Sequence, residues 1–171
     1  MIRRIRALAT KADPHKGLVD LNGIIHEVAR LVQREVLGHR VVLRTDLAAA
    51  LPPVLGDRVQ LQQVLMNLVI NGIEAMASVT DRPRELLIRS HQPEADQVLV
   101  AVQDAGIGVD PADMDRLFQA FFTTKPNGMG MGLSISRSII EAHGGRLWAS
   151  HNVGPGATVQ FTLPLPSAPQ A

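Results

Sequence analysis

Two short stretches carry residues able to grip a phosphate ligand: DAGIGVD, from Asp104 to Asp110, and TTKPNGMGMGLSIS, from Thr123 to Ser136. Val98, Val100 and Val102 share one face of a strand, and the alternation carries Asp104 onto that same core-facing side. A carboxylate there needs a donor, and the exocyclic amine of adenine is a suitable one. Gly106 and Gly108 permit positive φ and let the backbone pass close to a base. In the second stretch, Gly128, Gly130 and Gly132 directly precede a helix that carries Leu133 in its first turn. Free N–H groups and the positive end of the helix dipole make such a start an anion site. Thr123, Thr124 and Lys125 add hydroxyls and a cation within reach of the same phosphates. Taken singly, each stretch also reads as an ordinary glycine turn.

A third group lies on the segment that Asp57 opens. With about 3.6 residues per helical turn, Gln63, Asn67, Asn71 and Glu74 fall within about 80° of one another. Leu61, Leu65, Leu68, Gly72 and Met76 occupy the opposite side, and Met66, Ile70 and Ile73 border the polar stripe. A solvated face would carry charges in those bordering places, so the helix is expected to be buried nearly all round. Two asparagines in that setting need partners, either backbone groups of a neighbouring turn or a bound ion or ligand. Their carbonyl oxygens suit magnesium, which keeps several waters and shares its other positions with phosphates. Asn71 is the better metal ligand, with Asn67 as a second; Glu74 either orders a metal-bound water or pairs with an arginine.

The elements that must position these groups follow from periodicity. Asp20 to Asn22 cap a helix running to about Leu37 and closed by Gly38, and Val41 to Leu47 alternates as a strand. Asp57 opens the longest helix, expected to end near Ser78. Glu85–His91 and Gln97–Gln103 form a hairpin around Pro93 to Asp96. A short helix from Pro111 to about Ala120 leads to a polar loop, and Phe118, Phe121 and Phe122, between the two glycine turns, are expected to anchor a lid. The helix from about Met129 to His143 is ended by Gly144 and Gly145, and a hairpin of Arg146–His151 with Ala157–Leu163 closes the chain.

Bulk properties narrow the function. A chain of 171 residues with 46% apolar side chains buries one real core, and its net charge of +1 offers no field for nucleic acid or an anionic membrane. Without cysteine there is no disulfide, thiolate metal site or cysteine nucleophile. The longest apolar run, Val64 to Ile73, is too short to span a bilayer, so a soluble, cytoplasmic segment is expected. No Walker loop G-x-x-x-x-G-K-[ST] is present, and the glycine turns do not follow an early strand as in a dinucleotide fold.

In order and spacing, QLQQVLMNLVINGIEAM, DAGIG, RLFQAFFTTK and GMGMGLSISRSIIEAHGG resemble the N, G1, F and G2 boxes of sensor histidine kinases. The chain is therefore identified as similar to the ATP-binding catalytic domain of these two-component kinases, within the gyrase, Hsp90, histidine kinase and MutL superfamily. The resemblance spans roughly Leu18 to Leu165. It implies an α/β (α+β) two-layer Bergerat sandwich, a mixed sheet covered on one face by helices, with ATP beneath a lid. It further implies that Asp104 accepts from adenine, Asn71 binds magnesium and Asn67 supports metal and phosphates, with Glu74 beside them. Gly106, Gly108, Gly128, Gly130 and Gly132 would shape the pocket with Leu133, and Thr158 would join the adenine contact through water. Gly72 stands where alanine is usual, which is expected to loosen helix packing slightly.

The same resemblance assigns residues 1–17 to the end of a dimerisation helix and linker, 18–165 to the catalytic domain and 166–171 to a flexible tail. None of His15, His26, His39, His91, His143 and His151 stands in the acidic and basic setting of a phosphate-accepting histidine. The expected partners are a separate dimerisation and phosphotransfer domain of the same kinase and a response regulator. This segment is then an excised domain that binds ATP without phosphorylating itself. A hydrolysing ATPase like gyrase or MutL is the nearest rival, but its glutamate base stands one turn before the magnesium asparagine, where this chain has Asn67. A nucleotide-binding regulatory module without catalysis is the other alternative.

Overall fold

A computed structural model describes residues 16–116 and 132–166. The expected dimerisation helix end, the lid residues Phe118, Phe121, Phe122, Thr123, Thr124, Lys125, Gly128 and Gly130, and the last residues of the tail lie outside the described residues.

Asp20 accepts from the Asn22 amide at 3.1 Å and opens α1, Leu21–Leu31, whose Leu21, Ile24, Ile25 and Val28 are fully buried. The single helix expected to Leu37 is two: Val32 leaves helical geometry and α2, Gln33–Gly38, follows. Val32 and Val36 stay in the core across the break, while Leu31 and Leu37 are exposed. Beyond Gly38, the left-handed residue is Arg40, at φ 54°.

Two four-residue strands, β1 (Lys16–Val19) and β3 (Val54–Asp57), pair antiparallel with Leu18 opposite Leu55. The main sheet contains β2 (Val42–Leu47), β4 (Glu85–Glu94), β5 (Gln97–Gln103), β6 (Arg146–His151) and β7 (Ala157–Pro164) in the order β2-β4-β5-β7-β6. β2 runs parallel to β4 and every other neighbour is antiparallel, so the sheet is mixed. The helices and the inner face of the sheet share one core, and the expected two-layer α/β sandwich is the architecture found. β4 continues past the expected His91 through Pro93, and a bulge between His91 and Glu94 accommodates the missing amide.

The Asp57 carboxylate accepts from Val59 and Gln60 amides at 3.0 and 3.2 Å and caps α3, Arg58–Ala75. Leu61, Leu65, Leu68, Gly72 and Met76 are buried, as the helical spacing predicts. Gln63 and Glu74 are exposed and Asn67, Ile70 and Asn71 half-buried, which corrects the expectation of a helix buried all round. A two-layer fold covers one side of α3 with the sheet and leaves the other for contacts made by only part of its length.

α3 stops three residues before the expected Ser78, and Arg84 explains where its end is fixed. Its guanidinium donates to the carbonyls of Ala77 and Val79 at 2.9 Å each and of His39 at 2.7 Å. One guanidinium thereby holds the turn that follows α3 against the residue that caps the end of α2. α4, Gly132–Ala142, is closed by Gly144 at φ 81°, and the Gly145 amide returns to the Ile140 carbonyl at 2.9 Å.

Replacing Arg84 by methionine removes three charge-assisted hydrogen bonds while keeping the apolar stem. We expect a loss of about 1–3 kcal/mol of unfolding free energy in urea titration. An unchanged midpoint would show that the helix end needs no such cap.

Candidate functional site

Helix α3 is the floor of the site. A Cβ placed on Gly72 would lie 3.6 Å from the Asp104 Cβ, so the carboxylate-bearing end of β5 packs directly over this turn. One turn and a half earlier, the Asn67 side chain donates to the Ser136 hydroxyl at 3.2 Å and to the Gly132 carbonyl at 3.4 Å. A Cβ on Gly132 would stand 3.9 Å from both Asn67 Cγ and Asn71 Nδ2. The asparagine stripe and the first residue of α4 therefore face each other, with Leu133 half-buried against the core. Glu74 lies farther along the stripe, exposed.

Asp104 is buried at 8% exposure, and its Oδ1 accepts from the amides of Gly106 at 2.8 Å and Ala157 at 3.2 Å. Two amide donors fix the plane of the carboxylate. The turn behind it is locked from three sides. Arg82 donates to the carbonyls of Ala105 at 2.8 Å and Gly106 at 2.7 Å. Asn152 donates to the Asp104 carbonyl at 2.7 Å. Gly106 lies so close to α3 that a Cβ would be 2.5 Å from the Ala75 carbonyl oxygen. Gly156, at φ 96°, approaches the Asp104 carbonyl where a Cβ would stand 2.1 Å away. Gly108 takes the positive φ, 78°, that its place in the turn anticipates.

Thr158 does not join this group. It pairs with Gln103 in the β5–β7 register and so lies on the face of the sheet opposite to Val102 and Asp104. There its hydroxyl donates to Asn152 Oδ1 at 2.6 Å, so its closest link to the site is through the residue that holds the Asp104 carbonyl. Gly72 produces no looseness either, because Leu86 Cδ1 occupies the space an alanine methyl would take, 2.6 Å from its place. Arg82, Ser136, Asn152 and Gly156 carry no signal that distinguishes them from ordinary loop and helix residues. Only the NVGPG turn, with glycine next to the final strand, offered a local hint of close approach.

The donor set fits magnesium. Asn67 and Asn71, neutral side chains beside a helix start, offer few protein ligands, and among the described residues no cluster of three or more His, Asp or Glu side chains could hold a metal. A hard cation that completes its shell with water and phosphate is the kind such a site accommodates.

Residues 56–167 match the family described as histidine kinase-, DNA gyrase B- and HSP90-like ATPases. The chain belongs to this ATPase family. Within it, the sensor protein FixL of Bradyrhizobium diazoefficiens is 46% identical over 164 residues, which make up 96% of this chain and 32% of that protein. The sensor protein TdiS of Thauera aromatica is 37% identical over 166 residues, 96% of this chain and 30% of its own length. The chain thus spans about a third of the length of these two sensor proteins. The catalytic domain of histidine kinase ThkA superposes with a TM-score of 0.77 at 33% identity, covering 87% of this chain and 95% of that one. Full-length ShkA in complex with AMPPNP gives a TM-score of 0.80 at 27% identity, over 96% of this chain and 34% of that one. The fold is accordingly that of histidine kinase catalytic domains. No described helix is long and apolar enough to cross a membrane.

The close approach of Gly106 to α3 is testable. Gly106→Ala must push against a backbone carbonyl and is expected to cost about 1–3 kcal/mol in thermal or chemical unfolding. Gly154→Ala, with nothing within 4 Å of the new methyl, serves as the neutral comparison; equal effects would refute the packing argument.

Proposed function

We propose that this domain binds Mg-ATP and presents the γ-phosphoryl group to a histidine on a separate dimerisation domain of the same kinase, in two-component signalling. The observation that carries the reading is the arrangement along α3: Asp104 over Gly72, and the start of α4 against Asn67 and Asn71. A nucleotide laid along this helix meets an oriented carboxylate at one end and a helix N-terminus at the other.

Asp104 accepts from the adenine amine, its orientation held by the Gly106 and Ala157 amides. Gly106 and Gly108 shape the turn beside the base, and the Gly132 end of α4 faces the phosphates, with Thr123, Thr124, Lys125, Gly128 and Gly130 assigned to the same end by the motif. Asn71, assisted by Asn67, would hold a magnesium ion, which when bound neutralises charge developing on the phosphates. Asn67 cannot act as a general base toward water, and Glu74 is exposed one turn beyond Asn71, so transfer to a presented histidine is favoured over hydrolysis. The sensor proteins among the relatives support the signalling context. The ShkA structure holds AMPPNP, and ThkA has been solved in complex with the response regulator TrrA. A response regulator is the corresponding downstream recipient here.

ATP with magnesium at a hundred times its Kd should stabilise the fold by about 2.7 kcal/mol. Asn71→Ala should remove the magnesium-dependent part of that shift. Asp104→Asn should weaken ATP about tenfold with or without the metal, since it discards a charged acceptor. No thermal shift with ATP would sink the reading. Supplying a dimerisation domain that bears the acceptor histidine should yield a phosphate labile to acid and stable to base. Intact ATP binding without that transfer would instead identify a regulatory nucleotide module.

A further inference from the structure

His143 is the one buried histidine among the described residues, and neither the motif roles nor the proposed chemistry employs it. Its ring bridges two elements. Nδ1 stands 2.8 Å from the Ile139 carbonyl and Nε2 stands 3.0 Å from the Asp57 amide. A carbonyl can only accept and an amide can only donate, so the proton sits on Nδ1 and the Nε2 lone pair receives the Asp57 N–H. Asp57 is the cap of α3, its carboxylate already engaged with the first turn, and His143 takes the backbone amide that the capping side chain does not reach. Gly56 makes room for the ring, since a Cβ there would lie 2.9 Å from His143 Cδ2 and 2.9 Å from Leu61 Cδ1.

From this geometry we infer that His143 is a positioning residue for the phosphate end of the nucleotide site. It ties the end of α4 to the start of α3 and so sets the gap between Gly132 and the Asn67/Asn71 face. The inference rests on the nucleotide reading above. The two helices meet at a second place, where Asn67 holds Ser136 and Gly132. Along α4 these contacts lie seven and eleven residues from His143, roughly 10–16 Å of helix. A helix attached at one point pivots about it; attached at two, it cannot. Over such a span a tilt of about 4° displaces Gly132 by about 1 Å, enough to spoil phosphate geometry. The base end has separate supports, because Asp104 is held by Gly106, Ala157 and Asn152, none of which belongs to α4.

The independence of the two ends supplies the test: equilibrium titration of the full chain with ATP and with adenosine, each variant's folding checked by its melting curve. In His143→Leu, ATP should bind about 2- to 30-fold more weakly while adenosine is unaffected. His143→Gln, whose Oε1 can accept the Asp57 amide, should recover most of the ATP affinity. Gly56→Ala, which crowds the ring without removing it, should shift the ATP to adenosine ratio the same way and stands in should the leucine variant not fold. A purely structural histidine would lower the melting temperature and leave that ratio intact. Equal weakening of both ligands, unchanged ATP binding in a folded variant, or no recovery with glutamine each overturns the inference. Wild-type protein that binds neither ligand overturns the functional reading itself, and this inference with it.

Discussion

Helix α3 can press only one side onto the sheet, and Leu61, Leu65, Leu68 and Ile73, each almost fully buried, settle which side that is. Withdrawing side chains of this size from water is worth about 1.5–3 kcal/mol apiece, far more than the polar stripe can gain from any alternative rotation. The stripe is consequently turned away from those leucines, and part of it meets α4, the neighbouring helix that packs on β6 and β7 of the same sheet. Asn67 finds Ser136 and the Gly132 carbonyl, both on the first turns of α4. A half-buried amide without partners would penalise this packing; with them, it specifies it.

The two ends of the site are built differently. Around Asp104 its carboxylate, the Arg82 guanidinium and the Asn152 amide all bond to main chain, and Gly106 and Gly156 bring main chains so close that no side chain could intervene. Such a place has little freedom and suits recognition of a flat, rigid base. At the other end, α4 packs Ile140 into the core and meets α3 through a few side-chain hydrogen bonds at either extremity.

The sheet turns the remaining residues toward or away from this chemistry by register alone. Val102 and Asp104 face the helices, while Gln103 and its partner Thr158 face the other way, so a hydroxyl one residue from the Ala157 amide is excluded from the carboxylate that this amide holds. Motif spacing predicts which segments meet; the period-two alternation of a strand determines which atoms do.

Asp20 and Asp57 as helix caps, Gly144 as a helix end, Asp104 on the core-facing side of its strand and the asparagine stripe opposite a leucine face were all legible in the chain. Each depends on neighbours within one or two turns, and local sterics and hydrogen bonding act over that range. The break at Val32, the pairing of β1 with β3, the Arg82 clamp, the filling of Gly72 by Leu86 and the bond from His143 to Asp57 were not. That last bond joins residues 86 apart, and no periodicity or composition records which distant amide a histidine will meet. Amino-acid order decided which faces must be hidden and where helices start and stop. Packing those faces against one another then determined which polar groups became partners, because a hydrogen bond between remote residues exists only once the core has brought them within reach.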